Sequence, residues 1–330
     1  MNTKDEIVKV FENKGGDEHP PAIFTQTGTV GQMEACGAYW PAANFDSAKM
    51  ATLALQAHRM FGFATVRIPF CITVDADAFG CEIFEGTESS QPSVKNFPYS
   101  CDEVPALISP DEFVASERVQ TVLGAADIVS KEDLFSVSGM NGPVACINNL
   151  LGMENVLMTL MMEPEKIVAW LNAVTPHLVA YSKALSEATD AVLIIEEASS
   201  DLTPPEYFDT VFGAFLPKVI RSAQTGAYCV THTCGSTMDV ADKLAALGQD
   251  AISLEVSADP QAYLDLIGDR CLRLGAINPV ETLMSKTPSE VIAEAKRSAE
   301  LGFDFVTPEC GVPPQTPNEN LMALAHYRDN

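Results

Sequence analysis

The run His232-Thr233-Cys234-Gly235 puts an imidazole and a thiol two residues apart, directly after the apolar stretch Ala227–Thr231. Residues two apart on an extended segment point to the same side, so His232 and Cys234 can share one metal ion. A second thiol, Cys310, follows the apolar stretch Phe303–Val306 in Thr307-Pro308-Glu309-Cys310-Gly311, and a carboxylate, Glu255, follows Ala251–Leu254. One nitrogen, two sulfurs and one oxygen make the donor set of a tetrahedral zinc site. Two thiolates and an imidazole damp the Lewis acidity of zinc, so such a site activates water poorly. It is better suited to holding an incoming thiol as a nucleophilic thiolate near neutral pH. The carboxylate is the hardest and most displaceable of the four donors. His232, Cys234, Cys310 and Glu255 are therefore the predicted metal ligands, with Glu255 also predicted to act in catalysis by leaving as the substrate sulfur arrives. The chemistry this implies is alkyl transfer to a thiol.

These donors need a scaffold that brings three strand ends together. Short, nearly continuous apolar runs recur at Ala22–Phe24, Ala64–Pro69, Ala191–Ile195, Ala227–Thr231, Ala251–Leu254, Leu272–Ala276 and Phe303–Val306. Runs of that kind are strands of a parallel sheet covered on both faces. One more strand is expected near Phe135–Val144. Helical patterns separate them at Asp46–Gly62, Glu163–Ala188, Pro204–Thr225, Ser236–Leu247 and Pro288–Leu301, with Asp46, Ser236 and Thr287 as caps. Alternating βα units with about eight strands predict a (β/α)₈ TIM barrel, in which residues just past the strands face the active-site mouth. A doubly wound open sheet is the other architecture, but no Gly-rich phosphate loop follows any strand. The expected organisation is one barrel domain over residues 1–330, with an N-terminal helix and a long loop excursion near 85–110.

Composition narrows the partners. The 330 residues carry a formal net charge of −25, which repels a phosphate backbone, so no nucleic-acid partner is expected. No apolar run approaches the ~18 residues of a membrane span, and the N-terminus lacks the apolar core of a signal peptide, so no membrane partner is expected either. Nine cysteines without paired spacing fit reduced thiols, and a cytoplasmic location is expected. Most of them read as small core hydrophobes. The methionine-rich stretch Met153–Met162 reads as core at helical spacing. Asp75 and Asp77 read as a solvated loop, and Glu196 and Glu197 read either as mouth residues or as rim carboxylates. His19, His58, His177 and His326 have no ligand-like spacing.

At its chemistry-bearing residues the sequence resembles the uroporphyrinogen decarboxylase superfamily. Within it, the sequence is similar to the methylcobamide:coenzyme M methyltransferases of the methanol- or methylamine-specific type. The residues that carry this are Pro20-Pro21-Ala22-Ile23-Phe24-Thr25-Gln26-Thr27-Gly28-Thr29-Val30, the pair His232 and Cys234 with Glu255, and the segment from Glu309 to Asn320. The decarboxylase branch has two arginines in the first segment that hold porphyrinogen carboxylates, and both are absent here. A Cys, at 310, stands where that branch has a histidine. Decarboxylation is disfavoured.

The resemblance implies a barrel of the uroporphyrinogen decarboxylase type holding Zn²⁺ on His232, Cys234, Cys310 and Glu255. It further implies transfer of a methyl group from the methyl-Co(III) corrinoid of a partner protein to the thiol of coenzyme M, as in methylotrophic methanogenesis. The coenzyme's sulfonate needs a cation, an amide or backbone N–H groups. Gln26, Arg67 and Asn278, near strand ends, are the candidates. Three other readings remain open at this point. One is a corrinoid-to-thiol methyltransferase with a different thiol, another is a decarboxylase-like enzyme, and the last is a non-catalytic barrel that docks a corrinoid protein around a structural zinc.

Overall fold

The computed structural model describes residues 3–329. Seven parallel strands form one sheet: β1 (Thr65–Ile68), β2 (Phe135–Asn141), β3 (Ala191–Ile195), β4 (Tyr228–Thr233), β5 (Ala251–Leu254), β6 (Leu272–Ile277) and β7 (Phe305–Pro308), hydrogen-bonded in that order. Helices cover the outer face. The last of the large ones, Pro288–Leu301, shows how locally such a helix is specified. Thr287 and Glu290 form a capping box, and Pro288 takes the first helical position, where a missing N–H does no harm.

The expected first strand, Ala22–Phe24, is not a strand. It makes one parallel bridge, with Ala22 N donating to Val306 O (3.1 Å) and Val306 N to Pro20 O (3.1 Å). On its other side Ile23 N donates to Thr65 Oγ1 (2.8 Å) and Arg67 Nε to Phe24 O (3.3 Å). The segment thus touches both the last and the first strand, but on the β1 side through side chains. Pro20 and Pro21 lack the N–H groups that a longer ladder requires.

Alternation along the strands sorts residues between two cores. Val66, Val192, Ile194, Cys229, Ile252 and Leu254 face the helices. Val137, Ala191, Leu193, Val230, Ala251, Leu274 and Phe305 face inward, where the helix Lys4–Asn13 brings Ile7, Val10 and Phe11 against them. Phe11 stacks on Tyr228 at 4.3 Å and on Phe135 at 5.6 Å between ring centroids, and lies 5.2 Å from Phe305. This aromatic cluster fills the N-terminal end of the strands.

The excursion near 85–110 contains a two-stranded antiparallel hairpin, Ile83–Phe84 with Ser93–Val94. It is fixed to the long helix Pro164–Ser186 by Tyr99 edge-on to Trp170 and by Trp170 Nε1 donating to Ser100 O (3.2 Å). The expected core helix Met153–Met162 is instead largely at the surface. Met158, Met161 and Met162 are 56%, 62% and 74% exposed, and only Val156 and Leu160 are buried. Continuous apolar character without a polar face hides which side is buried, and here the buried side is narrow. The expected helix Pro204–Thr225 is broken into Pro205–Tyr207, Asp209–Gly213 and Leu216–Ala223. The one starting at Ser236 begins only at Ala241. Among the described residues no single helix is long and apolar enough to cross a membrane.

Candidate metal and thiol site

The C-terminal ends of the strands surround a cavity of about 390 Å³. The parity that buries Tyr228 and Val230 inward carries His232 to the same face, in register with Ile195 of β3 and Ser253 of β5. His232 is buried, and its Nδ1 lies 2.9 Å from Ser253 Oγ. With Nδ1 against the Ser253 hydroxyl, Nε2 is the ring nitrogen that faces the two sulfurs, the one a metal ligand would use. Nε2 lies 3.1 Å from Cys234 Sγ, and Cys234 Sγ lies 3.1 Å from Cys310 Sγ. The chain turns sharply after Cys234 because Gly235 adopts φ +79°, and a side chain there would also collide with Ser199.

Cys310 and the residues after it are held by the N-terminal segment of the chain. Thr25 Oγ1 donates to Cys310 O (2.8 Å), Val312 N donates to Gln26 O (3.0 Å), and Val30 N donates to Pro314 O (2.8 Å). The two terminal segments that carry the resemblance are thus one packed unit.

Glu309 is a brace that the sequence reading did not single out. Buried beside Cys310, it accepts from Val256 N (2.9 Å), Ser257 N (2.8 Å), Ser257 Oγ (2.7 Å) and Asn278 Nδ2 (3.1 Å). It ties the end of β7 to the turn after β5, where Glu255 sits. Its signal was its place directly before Cys310, where a carboxylate among apolar residues had to find donors.

Glu255 is half-buried close to the thiols, but its carboxylate is not among the ligand atoms that lie within 4.8 Å of one another, which are those of His232, Cys234 and Cys310. Burial, then the Cys310 charge, raise its pKa. The hydrogen bond from Cys234, and after it His232, hold the Cys310 thiol below its ordinary range. The Cys310 sulfur, burial and Glu255 push the Cys234 thiol far up. The two sulfurs therefore titrate as one unit rather than as two independent thiols. His232, Cys234 and Cys310 bring their ligand atoms within 4.8 Å of one another. One imidazole nitrogen and two sulfurs, with a carboxylate against them, fit zinc.

Of the two readings of Glu196 and Glu197, the structure supports the mouth: both line the cavity, and Glu196 is buried. Its carboxylate accepts from Val144 N (3.2 Å), Ala145 N (2.8 Å) and Glu197 N (3.0 Å), capping the helix Pro143–Leu151. Burial pushes its pKa up to about 8 against the pull of those amides. Glu197 bonds Asn148. Asp75 is not solvated: it is 3% exposed, accepts from Asn141 Nδ2 (2.7 Å), and is pushed up to about 6 by burial. Asp77 lies near the guanidinium of Arg118, 3.6 Å away. Gln26 and Arg67 line the cavity; Asn278 does not, and is spent on Glu309. His19, His58, His177 and His326 each bond a backbone carbonyl, of Phe303, Phe63, Ile108 and Phe61 respectively.

The family description "Uroporphyrinogen decarboxylase (URO-D)" matches residues 2–330. The chain belongs to this family. It is 33% identical over 99% of its length to a methylcobamide:CoM methyltransferase of Methanosarcina barkeri, covering 97% of that protein. It is 31% identical to another, of Methanosarcina acetivorans, covering 99% of this chain and 97% of that one. A solved structure, a methyltransferase from Methanosarcina mazei, superposes with a TM-score of 0.94 at 31% identity, covering 100% of this chain and 99% of that one.

Proposed function

We propose that this chain is a zinc-dependent methyltransferase that moves a methyl group from a methyl-Co(III) corrinoid protein to the thiol of coenzyme M. The observation that carries the reading is the meeting of His232 Nε2 and the Cys234 and Cys310 sulfurs beside Glu255 at the cavity, in a chain so similar to methylcobamide:CoM methyltransferases. Zinc held by His232, Cys234, Cys310 and Glu255 would keep an incoming thiol ionised and nucleophilic.

The residues themselves prepare that task. Ser253 orients the imidazole, and Glu309 and Thr25 hold the segment bearing Cys310; Glu255, the hardest of the four donors, would be the one to yield its place to a substrate sulfur. The methyl transfer balances simply: a C–S bond forms as the Co–C bond breaks, both electrons stay on cobalt as Co(I), and the thiol proton is lost on binding. We further infer that Pro20–Phe24 occupies the eighth strand position and completes a (β/α)₈ barrel, supported by its bonds to Val306 on one side and to Thr65 and Arg67 on the other. Nine unpaired cysteines suit a reducing cytoplasm.

The test is methyl transfer from free methylcobalamin to coenzyme M, with and without zinc, against homocysteine as the competing thiol. Zinc-dependent methylation of coenzyme M is expected. A preference for homocysteine would reassign the acceptor, and zinc-independent transfer would remove the metal from the reading.

A further inference from the structure

Among the described residues, Arg67 is the one Lys or Arg on the cavity wall. It projects inward from β1 and is 2% exposed. Its Nε donates to Phe24 O (3.3 Å) and its Nη1 to Pro69 O. Among the described residues no carboxylate pairs with it, and no hydrogen bond uses Nη2. The two acids on the same wall are occupied elsewhere, Glu196 by the amides of the helix it caps and Glu197 by Asn148. Burial brings the guanidinium pKa down only to about 10, so it stays charged at neutral pH.

A buried cation with no counter-ion is costly, and the cost is relieved when a ligand supplies the anion. Room has been left for the guanidinium itself. Gly139, on the neighbouring strand β2, lies so close that a Cβ there would overlap Nη2. The guanidinium is also close along the chain to the thiols. Phe24, whose carbonyl receives Nε, is followed by Thr25, whose hydroxyl donates to the carbonyl of Cys310. Leu193 and Ile195 add apolar wall to the same cavity, suited to a short hydrocarbon link.

We propose that Arg67 is the anion anchor of the acceptor. Its free Nη2 edge binds the compact charged end of a short mercapto-sulfonate whose thiol lies at Cys234 and Cys310. This rests on the methyl-transfer reading above and deepens it, because it makes charge, and not only the thiol, the basis of acceptor choice.

The test compares 2-mercaptoethanesulfonate with 2-mercaptoethanol as methyl acceptors from methylcobalamin, using zinc-loaded protein. It also measures binding of ethanesulfonate, which has no thiol, by calorimetry. Arg67→Met is expected to reduce the ratio of kcat/KM for the two thiols by about 100-fold, mostly through KM, and to abolish ethanesulfonate binding. Arg67→Lys should retain part of both. Gly139→Ala keeps the charge but displaces the guanidinium, so it should move the same ratio in the same direction even if Arg67→Met folds poorly. Equal proportional losses on both thiols, or an unchanged ratio, would overturn the anchor. If the wild-type protein methylates neither thiol, the methyl-transfer reading fails on its own. Ethanesulfonate binding then still decides the anchor: loss in the Arg67 variants supports it and retention refutes it.

Discussion

At the N-terminal ends of the strands, Phe11, Phe24, Phe135, Tyr228 and Phe305 interlock with centroids 4.3–6.2 Å apart and leave the helix Lys4–Asn13 packed against them. At the C-terminal ends of the same strands, the inward positions hold Arg67, Gly139, His232 and Ser253 around an open cavity. The inward parity is unbroken from one end to the other; only the residue types change. Apolar contacts at one end are non-directional and stabilise the sheet. Polar groups at the other are directional, and several are left without partners inside the protein, including Gln26 Oε1, Asn141 Oδ1 and Thr307 Oγ1. A barrel-like sheet can carry such an under-satisfied end because the opposite end is closed by packing.

The sharpest way to break this contrast is to remove one anchor from each end. Cys310→Ala should lower methyl transfer about 1000-fold or more and abolish zinc retention, with the unfolding midpoint of the zinc-free protein almost unmoved. Full zinc occupancy in that variant would sink the metal assignment. Phe11→Ala should show the reverse pattern, losing about 3–5 kcal/mol of unfolding free energy by denaturant titration. Its kcat/KM should stay within about threefold while the protein is folded, and a large kinetic loss would mean that the two ends are coupled.

Glu309 tests how far the directional chemistry extends beyond the donors. Glu309→Gln keeps the size of the side chain but exchanges one acceptor for a donor facing the Val256 and Ser257 amides. Outer partners of metal ligands commonly matter by 10–100-fold, so zinc affinity and methyl transfer should both fall by roughly that factor. A metal-binding titration that matches the wild type would restrict Glu309 to a structural role.

The smallest effect concerns Glu196. Its folded pKa, about 8, lies above the ordinary carboxyl value of 4.5, so between those pH values the native state holds a proton that the unfolded chain has lost. Its contribution to stability is complete below pH 4.5 and disappears as pH rises through 8. The slope can reach about 1.4 kcal/mol per pH unit at most. Glu196→Gln should flatten that part of the stability profile in urea titrations at stepped pH. A profile as steep as the wild type's would assign the slope to other groups such as Asp75, which shifts in the same direction.

Much of the site was legible in the residues. His232, Cys234, Cys310 and Glu255 each follow an apolar run, and strand ends in a parallel sheet point to one mouth; the fold brings the first three together and leaves Glu255 outside their cluster. The strand order was implied by the same alternation, and six of the seven strands in the sheet overlap the clear apolar runs, three of them running one or two residues past the expected end, with Phe135–Asn141 where the weaker run was expected.

What periodicity could not reach was everything set by distant partners. Asp75 is buried because Asn141, 66 residues away, meets it, and Glu196 because the amides at Val144 and Ala145 need an acceptor. Met153–Met162 is exposed because little of the molecule covers it, which an apolar decapeptide does not announce. Glu309 became a brace only once β5 and β7 stood near each other. The sequence by itself determined which residue types stand at the strand ends, because local period and apolar burial are short-range properties of the chain. Tertiary structure alone decided which of those polar groups were satisfied and which, like Arg67, were left facing the cavity, because a buried charge is settled by whatever the fold brings within hydrogen-bond reach.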